Sequence, residues 1–217
     1  MDDTIIRARD KLKAHFPPGT NAFYADTNYQ LLGKIIEKVT AKPLEDVYEE
    51  FFFLPLGIKH SYLIGRSEPQ IASSRLPADI WDNDKIVTRI RYNGSYWADG
   101  GIVSTSEDMI IFLKALNEGK IVRRDTLLMM HDWHNLEFPL QYGYGSMYFK
   151  LPGLLGKFSG ITPLWGHSGS SGSFLYYSEY LDLYMAGSIN STGLNIKPFM
   201  LMRDVMELFR NNTVQEE

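Results

Sequence analysis

Leu164-Trp165-Gly166-His167-Ser168-Gly169-Ser170-Ser171-Gly172-Ser173-Phe174 sets one imidazole among small residues, between an aromatic entry and the strand-forming run Phe174-Leu175-Tyr176-Tyr177. Glycine lets a ligand come close to the main chain. Free amides beside a titratable ring suit a carboxylate or an oxyanion. On this stretch alone the plainer reading is favoured, a glycine-rich hairpin whose histidine caps a turn. His131 and His134 are three apart, which would suit a metal on a helix. No third ligand accompanies them, so they read as surface residues near a helix end, and neither a metal nor a cofactor is expected. The chain has no cysteine, which excludes thiol nucleophiles, disulfides and cysteine–zinc sites.

The chain as a whole sets broad limits. Its 217 residues are 44% hydrophobic and 22% charged, ordinary for a soluble globular protein able to bury a core. A net charge of −4 with no basic cluster argues against a nucleic-acid partner. No apolar run reaches membrane-spanning length, and Met1-Asp2-Asp3-Thr4 does not read as a signal peptide. The compartment is left open.

The elements that must hold such a site follow from periodicity. Ile5, Ile6, Leu12 and Phe16 predict an amphipathic helix over Thr4–Phe16, ended by Pro17-Pro18-Gly19. Thr27 with Gln30 forms a capping-box pattern, and Leu31, Leu32, Ile35, Ile36 and Val39 predict a buried helix to about Ala41. Pro43 fits the first turn of another helix, closed at Pro55-Leu56-Gly57. Lys59–Gly94 reads as loops with short strands, a substrate-facing excursion. Ser104-Thr105-Ser106-Glu107 starts a helix whose apolar face is Met109, Ile110, Phe112, Leu113 and Leu116, and Arg124–His131 is helical too.

Beyond Trp133 the pattern becomes β. Tyr142–Phe149, Trp165–His167, Phe174–Tyr177 and Leu183–Ile189 are strand candidates, the last two an antiparallel hairpin. Pro198 opens a terminal helix through Phe199, Leu201, Met202, Val205, Met206, Leu208 and Phe209, with an apolar face suited to lie on the sheet. The class is therefore α+β. A mainly helical region over 1–135 precedes an antiparallel sheet of about three to four strands plus a helix over 136–217, in one compact unit.

Three separated stretches then form a pattern. They are Pro17-Pro18-Gly19-Thr20 with Tyr24-Ala25-Asp26-Thr27-Asn28-Tyr29 and Leu31-Leu32-Gly33; Ala98-Asp99-Gly100-Gly101-Ile102-Val103-Ser104-Thr105 with Glu107-Asp108-Met109; and Gly166-His167-Ser168-Gly169 before a hairpin. In this order they resemble the serine β-lactamase and penicillin-binding-protein-like hydrolases, most of all the class C β-lactamase, D-aminopeptidase and family VIII esterase branch. The resemblance implies a partial fold of that type and acyl transfer on a β-lactam, a D-amino-acid peptide or a small ester.

It also implies site residues. The family's Tyr-x-Asn element would be Tyr24-Ala25-Asp26, with Asp where Asn is usual. Its Lys-Thr-Gly or His-x-Gly strand would be His167-Ser168-Gly169, with the Ser170 amide as an oxyanion donor. Tyr24, Asp26 and His167 would be catalytic, and Ser168, Gly169 and Ser170 would bind substrate. A phenol is a poor base at neutral pH unless a cation favours phenolate, and charged His167 would supply one. Asp26 would accept a substrate amide or orient a lysine.

The family's nucleophile is the serine of Ser-x-x-Lys, one helical turn apart so that the amine can relay the hydroxyl proton. No serine here has a lysine three residues later. Ser168 is no substitute, since the nucleophile elbow of other hydrolases needs a following helix and a later histidine. The chain reads as the later part of such an enzyme, inactive alone. The alternative is a non-catalytic module that binds peptidoglycan-like peptides or a protein partner. Absent early strands would leave a sheet edge open to self-association.

Overall fold

The structure, a computed structural model, describes residues 13–72, 76–88, 96–153, 156, 159–193 and 196–213. The helix expected over Thr4–Phe16 lies almost wholly outside them. The first described helix, α1 (Asp26–Thr40), starts two residues earlier than the capping-box pattern implies. Ala25 is its extended N-cap and no side chain caps it, so Thr27 lies inside the first turn rather than at the boundary. Asp26 in that turn faces the positive end of the helix dipole. Pro43 then precedes α2 (Leu44–Tyr48), a π-helical turn Glu49–Phe53 and α3 (Leu54–Leu56), closed by Gly57 at φ +68°.

The apolar stripe of α1 is not buried as its spacing predicts. Leu31, Leu32, Ile35 and Val39 are exposed, Val39 at 79%. Of the stripe only Ile36 turns inward, on the side that also carries Gly33. There Ile36 packs on Leu44, Leu63 and Trp97, and Gly33 lies so close to Trp97 and Ala98 that a Cβ would sit 2.6 Å from Ala98 Cβ. The segment Trp97–Gly101 is thereby fitted against α1.

Short paired strands fill the excursion: β1 (Tyr62–Leu63) pairs with β4 (Ile102–Val103), and β2 (Trp81–Asp82) with β3 (Lys85–Ile86). Thr105 caps α4 (Ser106–Asn117) by accepting the Asp108 N–H at 3.2 Å, as its sequence signature predicts. Asp108 is itself buried. It accepts the His60 N–H at 2.8 Å and the Ser61 hydroxyl at 2.9 Å, tying the turn after α3 to α4. The next helix, α5, spans Arg124–Met130.

The main sheet has six strands rather than three to four, ordered β10-β9-β8-β7-β6-β5 and antiparallel throughout. They are β5 (His134–Glu137), β6 (Leu140–Tyr142), β7 (Met147–Phe149), β8 (Leu164–Ser168), β9 (Ser173–Ser178) and β10 (Leu183–Ser188). One extra strand arises because Tyr142–Phe149 is the turn side of a hairpin, β6–β7, not one strand, and the other is β5, which lies before that stretch. Gly143 N–H donates to the Ser146 carbonyl and Gly145 turns the chain at φ +84°. Gly143 also meets the end of α5, where a Cβ would strike the Met130 carbonyl oxygen.

Strand alternation divides the sheet's side chains between two cores. Leu164, Phe174, Tyr176, Met185, Met147 and Phe149 pack under Phe199, Met202 and Met206 of the terminal helix α6 (Lys197–Thr213). Trp165 and Tyr177 pack on the other face against Leu113, Leu116 and Leu127 of α4 and α5. His131 belongs to this second face and is not the surface residue expected. Its ring stacks on Trp133 at 4.8 Å and lies 4.6 Å from Trp165, beside a cavity of about 310 Å³. Of this pair, His134 is the exposed one. On α6, Leu201, Val205 and Leu208 face outward and are exposed. No described helix is long and apolar enough to cross a membrane.

Candidate active site

Tyr24 lies just before α1, and His167 lies in the last turn of the pleat of β8. The fold sets their ring centroids 5.9 Å apart. Two further tyrosines complete the enclosure. Tyr29, in the first half of α1, is 5.8 Å from Tyr24, and Tyr142, the last residue of β6, is 5.3 Å from Tyr24 and edge-on to His167 at 5.6 Å. Sheet register accounts for Tyr142: it pairs with Met147, which pairs with Gly166, the neighbour of His167. A one-residue slip would remove it from the cleft.

The hydrogen bonds run through Tyr142. Its hydroxyl is bonded to the Tyr29 hydroxyl and lies 3.0 Å from His167 Nε2. His167 Nδ1 lies 2.9 Å from the Ser168 carbonyl oxygen. Tyr24 makes ring contacts, yet its hydroxyl has no hydrogen-bond partner among the described residues.

Burial governs the charge states. It pushes Tyr24 up to about 12, with Tyr29, Asp26 and Asp99 adding to the shift. Tyr142 is raised far above the usual phenol range, first by burial and then by its bond to Tyr29. Burial also lowers His167, opposed in part by the bond to the Ser168 carbonyl. The imidazole is therefore neutral at neutral pH. This corrects the expectation that charged His167 favours a Tyr24 phenolate, because the same low-polarity cleft penalises both ions.

The remaining residues singled out by motif have distinct placements. Asp26 is exposed at the start of α1 and acts on Tyr24 through space, without a hydrogen bond. The Ser168 hydroxyl points to the α6 side, bonded to Tyr176 at 3.4 Å and to Met147 Sδ at 3.6 Å, so only its backbone borders the cleft. Gly169 N–H donates to the Ser173 carbonyl at 2.8 Å, closing the tight turn before β9. The Ser170 N–H, in that turn, has no partner among the described residues. Among the described residues no group of three or more His, Asp or Glu could hold a metal.

Tyr29 and Tyr142 were not foreseen as site residues. Tyr29 lies inside the first motif, but Tyr24 precedes α1 and is five residues away, so its place in the motif, not helical spacing, is the signal that could have raised it. Tyr142 had no such signal, since its place depends on strand pairing.

Comparison with known proteins adds an independent line. The family model described as Beta-lactamase matches residues 2–200. A protein of Salmonella newport (strain SL254), provisionally named D-alanyl-D-alanine carboxypeptidase, is 28% identical over 135 residues, covering 54% of this chain and 31% of its own length. The octameric penicillin-binding protein homologue from Pyrococcus abyssi superimposes with a TM-score of 0.73 at 28% identity, over 97% of this chain and 47% of that one. The D-amino acid amidase from Ochrobactrum anthropi SV3, complexed with L-phenylalanine amide, shares the fold with a TM-score of 0.70 at 24% identity, over 98% and 64%. The chain thus spans about a third of the curated relative and about half to two thirds of the solved ones.

Proposed function

Because this chain belongs to the beta-lactamase family, we propose that its cleft is the binding side of a serine acyl-transfer site, acting on the carbonyl of a D-amino-acid amide or peptide. β-Lactams and small esters are the other acyl donors of this class. The observation that carries the reading is the meeting of Tyr24 and His167, from two distant motifs, at 5.9 Å. Each residue then has a role. The unbonded Tyr24 phenol passes a proton to or from the leaving group, and the free Ser170 amide donates to the developing oxyanion. Asp26, at the cleft's exposed margin, accepts a hydrogen bond from the substrate. The provisional name of the curated relative, D-alanyl-D-alanine carboxypeptidase, supports the substrate class.

We further propose that these 217 residues form no acyl-enzyme by themselves, since no serine carries a lysine three positions later. Without a nucleophile, only binding and oxyanion contributions remain. Intact-mass analysis after incubation with a fluorescent penicillin, and separately with an activated phosphonate, is expected to give no covalent adduct. A stoichiometric adduct overturns the inactivity. In the same sample, a peptide ending in D-Ala-D-Ala is expected to shift the NMR resonances of Tyr24, His167 and Ser170. Shifts confined to other residues would refute the cleft assignment.

The partner side of the reading rests on exposure. Among the described residues, the outward stripes of α1 and α6 expose apolar side chains, and β10 has no strand paired on its outer edge. Self-association is the expected outcome. Sedimentation should give a species larger than a monomer at micromolar concentration, and Leu201→Lys with Leu208→Lys should shift it toward monomer. A strictly monomeric wild type at high concentration is the contrary result.

A further inference from the structure

The Ser168 carbonyl decides the direction of every proton in the cleft. A carbonyl oxygen can only accept, so His167 Nδ1, 2.9 Å away, must carry the hydrogen. A neutral imidazole with Nδ1–H has a bare lone pair on Nε2. The Tyr142 hydroxyl, 3.0 Å from Nε2, must then donate to it. Having spent its one proton there, Tyr142 has only lone pairs for Tyr29, so the Tyr29 hydroxyl donates to Tyr142. Three hydroxyls surround the histidine, and this relay commits two of them, leaving Tyr24 free.

We propose that Tyr142, supported by Tyr29, is a positioning residue that keeps Nε2 of His167 occupied as an acceptor, on a ring whose Nδ1–H tautomer is set by the Ser168 carbonyl. The consequence for the reaction rests on the acyl-transfer reading above. His167 is neither the cation beside Tyr24 nor a free base. Its lone pair is already filled by Tyr142, and protonating it requires both phenols to turn their hydrogens the other way. A cation that favours proton transfer at Tyr24 would therefore be a group other than this imidazole. Tyr142 and Tyr29 thereby reserve the Tyr24 hydroxyl as the one phenol that a ligand meets.

The geometry around the relay supports a fixed arrangement over a mobile one. His167 Nδ1 bonds to its own neighbouring residue, so the ring's rotation is tied to the backbone of β8. Tyr142 is held edge-on to the imidazole, and Tyr29 is held by α1. Each end of the relay is thus anchored in a different element, which restricts alternative rotamers.

The test reads the imidazole directly and needs no turnover. Long-range ¹H–¹⁵N correlation on ¹⁵N-histidine-labelled protein at neutral pH distinguishes a protonated from a bare ring nitrogen. The expected wild-type pattern for His167 is Nδ1 protonated, with Nε2 bare and shifted as a hydrogen-bond acceptor. In Tyr142→Phe, Nδ1 should stay protonated while the Nε2 signal moves to the position of an unbonded nitrogen. In Tyr29→Phe, which keeps Tyr142, Nε2 should remain hydrogen-bonded. A wild-type spectrum with Nε2–H, or an Nε2 signal unmoved in Tyr142→Phe, overturns the proposal. The wild-type measurement decides even if a variant fails to fold. A failed covalent-labelling or ligand-shift result would leave this spectrum unchanged, so the two readings fail separately.

Discussion

Gly166→Ala is expected to destabilise the protein by about 3 kcal/mol or more, the largest loss from adding a single methyl group. Gly166 lies in β8 between two bonded neighbours, β7 and β9. An added Cβ would be driven into the Leu175 carbonyl oxygen and would sit 2.7 Å from Tyr176 Cα. Both are backbone atoms of β9, so no side chain can turn aside to make room. Relief would require β8 and β9 to separate, which breaks the ladder that carries His167. For a chain of this size the melting temperature should fall by roughly 6–12 °C. Thermal unfolding followed by circular dichroism tests it. An unchanged melting temperature would mean that the β8–β9 register is wrong.

Asp108→Ala is expected to cost about 2–5 kcal/mol, because it orphans two buried donors at roughly 1–3 kcal/mol each. The carboxylate accepts the His60 N–H and the Ser61 hydroxyl, and Ser61 in turn accepts from Ser104 at 2.7 Å. Removing it unties the turn after α3 from the start of α4, and also opens a small void. Asp108→Asn keeps one oxygen to accept both donors, so its loss should be clearly smaller. Urea denaturation of both variants measures the difference. Equal losses for Ala and Asn would show that volume, not hydrogen bonding, is the source. The effect should not reach the cleft, so the His167 nitrogen signals would keep their wild-type pattern in the folded fraction.

Local chemistry made much of this protein legible from its residues. The start of α4 was readable because Thr105 caps it within three positions. The β9–β10 hairpin was readable because both strands are β-prone and the turn between them is short. The order of the three motifs pointed to the family, which the match over residues 2–200 establishes. The absence of Ser-x-x-Lys is likewise a property of the letters alone.

What the spacing of α1 could not tell is that its apolar stripe does not define the face that turns inward. That was decided by Trp97 and Ala98 packing on Gly33, contacts from a segment far along the chain. His131 was misread for a similar reason, since only the sheet brings Trp165 over its ring.

The cleft divides the same way. Tyr24 and His167 could be picked out from motifs, but their charge states could not, because burial is a property of what surrounds a group. The sequence alone determined which residues were candidates and that no serine in it has a lysine three positions later. Only the tertiary structure decided that burial lowers the His167 pKa, that Tyr142 meets its Nε2, and that the Tyr24 hydroxyl has no partner among the described residues. The physical reason is that helix caps and hairpins are sequence-local, while desolvation and hydrogen bonds between strands and helices arise where distant segments are packed together.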